Sequence, residues 1–272
     1  MKARKRFAQH FLEPAWVRKL VTAMAPQPGD RLVEIGPGRA ALTLPLAAAV
    51  ERLLAIELDR DLAGALEARA LPNVTVLTGD VLDVDLSGAI GEWLGNPPGP
   101  GNQVRIAGNL PYNISSPILF RLLELAAATG GVSDAVLMLQ KEVADRLVAE
   151  PGTGDYGVLT VLTALRADVT RLLTLPPGAF RPPPQVWSAV VRLKFRPCPV
   201  ALADETLLVR MVRSVFTQRR KTLGNALKGF AGSTPVSAGS ALAQAGIDPQ
   251  RRPETLQLVE FARLADVFAA AI

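Results

Sequence analysis

An apolar, strand-like run in the stretch Val104–Ile118, VRIAGNLPYNISSPI, ends abruptly in Asn109-Leu110-Pro111-Tyr112. An amide, a carbonyl in a tight turn, a ring-locked residue and an aromatic side by side suit an amino group on a flat base. The exocyclic amine of adenine is a poor nucleophile because its lone pair is delocalised into the ring. Accepting hydrogen bonds from both of its N–H groups favours a pyramidal nitrogen whose lone pair points at an electrophile. The Asn109 side-chain oxygen and the Leu110 carbonyl are candidates for those two acceptors. Pro111 fixes the turn, and Tyr112 offers a stacking face worth about 1–3 kcal/mol by analogy with other base–aromatic contacts. Methyl transfer to such a nitrogen is an in-line displacement in which positioning is the main catalytic contribution. A structural Asn-Pro turn with a buried tyrosine is the plainer reading of the same four residues.

A second constellation lies upstream. VEIGPG, Val33–Gly38, places Glu-x-Gly-x-Gly where a strand turns into a helix, and glycines there let a ligand approach the backbone. The next strand ends in IELD, so Glu57 follows Gly36 by roughly 20 residues, the interval at which an acid grips a ribose diol. A third run ends in TGD and brings Asp80 to the same edge. A nicotinamide dehydrogenase fits less well, because the third glycine of G-x-G-x-x-G is replaced by Ala41 and Pro37 interrupts the loop. Three acids ending three successive strands suit a nucleoside with a cationic appendage, and S-adenosylmethionine is such a molecule.

The bulk composition narrows the field. Cys198 is the only cysteine and His10 the only histidine, which removes disulfides, Cys-rich zinc sites and most triad chemistry, so no metal site is expected. No G-x-S-x-G elbow supports a serine hydrolase. A net charge of +5 favours a polyanionic partner, and its distribution sharpens that point. Lys2, Arg4, Lys5 and Arg6 form one basic cluster. Arg210, Arg213, Arg219, Arg220, Lys221 and Lys228 form another, with no acid from Thr206 to Leu242. Together they point to nucleic acid. The chain has no apolar run of membrane-spanning length and no signal-peptide pattern, so a soluble, cytoplasmic protein is expected.

The elements that must position these residues follow from periodicity. RLVEIG, RLLAIELD, VTVLTGD, QVRIAGN and DAVLMLQ read as buried strands. ALTLPLAAAV, RDLAGALEARA and SPILFRLLELAAA read as intervening helices, with Pro45 a local misfit in the first. PAWVRKLVTAMA is an amphipathic helix with Pro14 in its first turn. This alternation predicts an α/β fold with a doubly wound, largely parallel sheet. The stretch Leu175–Phe195 is a Pro-rich loop feeding a further strand, and from Asp204 onward the pattern is helical. A sheet domain over residues 1–200 and a smaller all-helical domain over 201–272 is the simplest parse.

At these residues the chain resembles the ribosomal RNA adenine dimethyltransferases, of the type that modifies small-subunit RNA. The resemblance is carried by RKRFAQHFL, VEIGPG, IELDRDL, GNLPYNISSPI, LQKEVADRL, AFRPPPQVWSAVVRL, FTQRRKTLGNAL and GIDPQRRPETL. It implies a Rossmann-like methyltransferase sheet and S-adenosylmethionine held by His10, Leu12, Gly36, Glu57, Asp80 and Asn109. It implies catalysis by Asn109, Leu110, Pro111 and Tyr112, with Phe180 as a second aromatic against the base. Two adjacent adenosines near the 3′ end of small-subunit RNA would each receive two methyl groups, in the setting of an immature 30S subunit, with the enzyme acting as a monomer. RNA would be gripped by the two basic clusters. Departures are His10 where Asn is common, and Gln185 and Trp187 where Lys and Asp are usual. Two other readings stand beside this one: a non-catalytic ribosome-assembly or nucleic-acid-binding factor, and a large-subunit adenine methyltransferase conferring macrolide resistance.

Overall fold

The computed structural model describes residues 11–271. The basic cluster Lys2, Arg4, Lys5 and Arg6, and His10, lie outside the described residues. The chain divides into two compact units. One comprises the described residues up to Ala144 together with Ala167–Arg196, and the other Asp145–Arg166 and the residues from Pro197 on.

The first unit is built on a seven-stranded sheet. Its strands are β2 (Arg31–Ile35), β3 (Arg52–Glu57), β4 (Val74–Thr78), β5 (Val104–Asn109), β6 (Val132–Gln140), β7 (Ala167–Leu175) and β9 (Ser188–Phe195), in the order β4-β3-β2-β5-β6-β9-β7. A separate pair joins β1 (Phe11–Leu12) to β8 (Phe180–Arg181), with Leu12 opposite Phe180. The five strands from β4 to β6 are parallel, and β9 and β7 close the far edge antiparallel. Parallel neighbours need crossovers, supplied by α2 (Thr43–Ala47), α3 (Arg60–Glu67), α4 (Leu86–Leu94) and α5 (Ser115–Thr129), while α1 (Pro14–Met24) precedes the sheet. β2, β3 and β6 are buried almost throughout because both of their faces are covered. This is the α/β fold with a largely parallel sheet that the alternating pattern predicts.

Pro45 proves no misfit. The helix expected from Ala41 begins only at Thr43, so Pro45 sits in its first turn, where the missing N–H has no intrahelical partner to lose. The strand β7 was not foreseen. Its alternation is broken by a register irregularity between Arg171 and Leu173.

The second unit is helical among the described residues. It contains α7 (Val158–Ala164), α8 (Glu205–Phe216), α9 (Leu223–Ala226), α10 (Lys228–Ala231), α11 (Ala238–Ala245) and α12 (Leu258–Ala269), with α6 (Lys141–Leu147) on the path into it. Asp204 and Ser237 cap α8 and α11 by accepting from Leu207 N and Ser240 N. Phe216 packs against Tyr156 and Phe261, and Phe230 meets Phe268 edge-on at 5.2 Å. One cut near residue 200 therefore does not separate the units. Asp145–Arg166 belong with the helices because Tyr156 packs against Phe216 and its hydroxyl donates to the Leu256 carbonyl at 2.7 Å. Among the described residues no helix is long and apolar enough to cross a membrane.

Candidate active site

Open parallel sheets bind ligands beyond the carboxyl ends of their strands, and here β2, β3, β4 and β5 all deliver polar groups to one cavity of about 360 Å³. Leu12, Gly36, Glu57, Asp80, Asn109, Leu110, Pro111 and Tyr112 line it together. Residues read from five separate stretches of sequence thus share one cavity.

Gly36 and Gly38 both have positive φ, 68° and 56°, a conformation of the turn after β2 that favours glycine. Glu57 fastens that turn. One of its carboxylate oxygens accepts from Gly38 N at 2.9 Å, and the other from Asp59 N at 2.9 Å. Asp59 in turn caps α3 by accepting from Asp61 N. Each carboxylate oxygen has two lone pairs, so Glu57 retains acceptor capacity towards a ribose while it holds the loop. Asp80 accepts from Leu82 N at 2.9 Å and so orders the turn that follows β4.

Glu34 is the least ordinary group in the cavity. It lies within β2, is 1% exposed, and its Oε2 has no hydrogen-bond partner among the described residues. Burial pushes its carboxyl up to about 7, opposed by the nearby Thr43 hydroxyl and reinforced by the Glu57 carboxylate. A buried, unpartnered acceptor beside a second carboxylate is costly unless a cation or donor arrives. A nucleoside carrying an ammonium and a sulfonium satisfies that demand, so the residues present fit S-adenosylmethionine. Sequence reading singled out the glycines of VEIGPG and left Glu34 as one strand-end acid among three.

At the end of β5, the Leu110 N–H donates to the Met138 carbonyl at 3.1 Å and the Ile114 N–H donates to the Pro111 carbonyl at 3.2 Å. The turn is therefore closed on both sides. The Tyr112 hydroxyl shares a 2.5 Å hydrogen bond with Ser188 Oγ at the start of β9. Burial raises the phenol above its ordinary value, an effect the Ser188 bond opposes. Ser188 was not foreseen, because the partnership spans 76 positions and no local spacing announces it. Phe11 and Arg39 also line the cavity, with the Arg39 guanidinium 4.1 Å from the centre of the Phe11 ring.

One expectation needs correction. Phe180 does not present a wall to the cavity. It is fully buried and belongs to the core with Leu12, Leu20 and Leu175, because pairing of β8 with β1 turns it inward. Arg219, expected as an RNA contact, is half-buried and paired within its own unit. Its Nε lies 2.5 Å from Glu254 Oε2, and its guanidinium also donates to the Thr153 carbonyl, which ties parts of the helical unit together. Arg210, Arg213, Arg220 and Lys221 are exposed on that unit.

Comparison with known proteins agrees with this geometry. The family model described as ribosomal RNA adenine dimethylase matches residues 1–270. Ribosomal RNA small subunit methyltransferase A of Acinetobacter baylyi is 47% identical over 97% of this chain and 92% of the relative. The protein of the same name from Aromatoleum aromaticum is 44% identical, covering 99% of this chain and 95% of the relative. Among solved structures, a dimethyladenosine transferase from Plasmodium falciparum shares the fold, with a TM-score of 0.78 at 24% identity over 96% of this chain and 98% of that one. The 23S rRNA methyltransferase ErmE follows at a TM-score of 0.66 and 26% identity, covering 95% and 99%. The chain belongs to the ribosomal RNA adenine dimethylase family.

Proposed function

We propose that this protein transfers methyl groups from S-adenosylmethionine to N6 of adenosines in small-subunit ribosomal RNA, giving N6,N6-dimethyladenosine. The observation that carries this reading is the convergence of Asn109–Tyr112 with Glu34, Glu57 and Asp80 on one cavity. S-adenosylmethionine, when bound, supplies an electrophilic methyl carbon. Glu57 accepts from the ribose hydroxyls, Asp80 from the adenine amine of the cofactor, and Glu34 meets its cationic end. On the substrate side, Asn109 Oδ1 and the Leu110 carbonyl accept from the two N6–H groups of the target adenine. Those bonds draw the nitrogen out of conjugation and leave its lone pair directed away from both acceptors. Tyr112 provides the stacking face, and Pro111 holds the turn that keeps the three in order. The N–H of the methylated ammonium is acidic, so water suffices to remove it and no strong base is required.

The substrate is two adjacent adenosines near the 3′ end of the small-subunit RNA, presented by an immature 30S subunit in the cytoplasm, with the enzyme acting as a monomer. Small-subunit RNA is favoured over large-subunit RNA because the relatives at 44–47% identity over nearly their full length carry the small-subunit name. A purely non-catalytic assembly factor is disfavoured by the intact Asn109-Leu110-Pro111-Tyr112 turn.

The test is transfer of tritiated methyl groups to immature small subunits from cells that lack the modification. The wild-type protein is expected to form dimethyladenosine. No product from a folded wild-type protein overturns the enzymatic reading.

A further inference from the structure

We infer that Ser188 is a positioning residue for methyl transfer, holding the Tyr112 ring in its stacking place through the bond between their hydroxyls; this rests on the reading of Tyr112 given above. A ring that only stacks on a base has no use for a hydroxyl, since phenylalanine presents the same π-face. The phenol of Tyr112 nevertheless reaches into the protein and ends 2.5 Å from Ser188 Oγ. A buried phenol is destabilising unless its hydroxyl is bonded, so its presence calls for a separate reason.

Tyr112 lies in the loop between β5 and α5, held along its backbone by the Ser115 hydroxyl, which donates to the Tyr112 carbonyl at 3.3 Å. Ser188 is fully buried and opens β9, where it pairs with Gln140 of β6 on one side and Leu175 of β7 on the other. Just before it, the Trp187 carbonyl accepts from Lys141 N at 2.8 Å. One hydroxyl bond thus ties a loop residue to an interior strand of the sheet. Without it, the ring keeps its chemistry but gains freedom about χ1 and χ2, and small displacements of a reacting base are expensive in rate.

The experiment measures single-turnover methyl transfer to immature small subunits by wild type, Ser188→Ala, Tyr112→Phe and the double variant, alongside KM for S-adenosylmethionine and the unfolding temperature. Both single variants are expected to transfer about tenfold more slowly with an unchanged KM. The double variant is expected to be no slower than the slower single one, because both changes remove the same bond. Multiplying effects, or a loss of unfolding temperature with the rate intact, would overturn the inference. Should Ser188→Ala fail to fold, Tyr112→Phe decides alone, and a wild-type rate from it overturns the inference while leaving the functional reading in place. No transfer by the wild-type protein overturns both.

Discussion

At the scale of single residues, the site is a set of strand-end groups whose own hydrogen bonds keep them ready. Glu34 is the exception, a carboxyl with a buried oxygen that has no partner among the described residues. Its value is raised in the folded state, so the native protein binds more protons than the unfolded chain between about 4.5 and about 7. Stability attributable to Glu34 is therefore intact below pH 4.5, falls as pH rises through that window, and is fully lost above it. The Glu34→Gln variant is expected to be more stable than wild type at pH 8, by up to about 3 kcal/mol, with the difference vanishing near pH 4. The same change should weaken S-adenosylmethionine binding, a trade of function against stability. Denaturant unfolding at the two pH values and equilibrium dialysis with the cofactor check both halves. How much of the site could be read beforehand follows from how local each signal is. Gly36, Glu57, Asp80 and Asn109 announced themselves because each follows or ends an apolar, strand-like run. Phe180 misled because an aromatic on a Pro-rich loop looks the same whether it faces a ligand or the core, and only the pairing of Leu12 with Phe180 decides.

At the scale of elements, the parallel strands and most of their helices were legible because a buried strand flanked by turn residues is a local pattern. The excursion Asp145–Arg166 and the strand β7 were not, since their placement depends on long-range partners such as Tyr156 with Leu256. The last helix shows how such an element is fixed. Glu260 of α12 accepts from Gln257 N at 2.8 Å and pairs with Arg251 at 2.5 Å, and Arg251 also donates to the Thr255 carbonyl. The Arg251 bond, more than any other influence, holds the Glu260 carboxyl below its ordinary value. A lowered carboxylate contributes stability that is present above its unfolded value and lost as pH falls through the folded one. Arg251→Ala is expected to lower stability by about 1–3 kcal/mol at pH 7. It should also flatten the acid side of the stability profile. Thermal unfolding at pH 7 and in the acid range measures it, and an unchanged profile would remove this pair from the account of the helical unit.

At the scale of the whole molecule, the chain combines a cofactor-type sheet unit with a helical unit that displays excess positive charge. Arg219 shows that a basic run is not automatically a binding face, because part of it is used to join the unit's own segments. Arg210 and Arg220 remain exposed. Neutralising phosphates releases counterions, so binding to RNA weakens with salt in proportion to the contacts made. Changing Arg210 and Arg220 to Gln should each shallow the slope of log affinity against log salt by about 0.7–0.9. Titrations of wild type and variants across salt concentrations with a small-subunit RNA fragment would show it, and unaltered slopes would place the RNA contacts elsewhere.

The central claim is that the tip of β5 performs adenine methylation on the small subunit. Its most direct test is mass spectrometry of the 3′ fragment of small-subunit RNA from cells lacking the modification, supplied with this protein or with its Asn109→Ala variant. The account predicts dimethyladenosine at two adjacent positions with the wild-type chain, and unmodified adenosines with the variant even though it is folded. Dimethyladenosine formed equally by both proteins, or by neither, would contradict it.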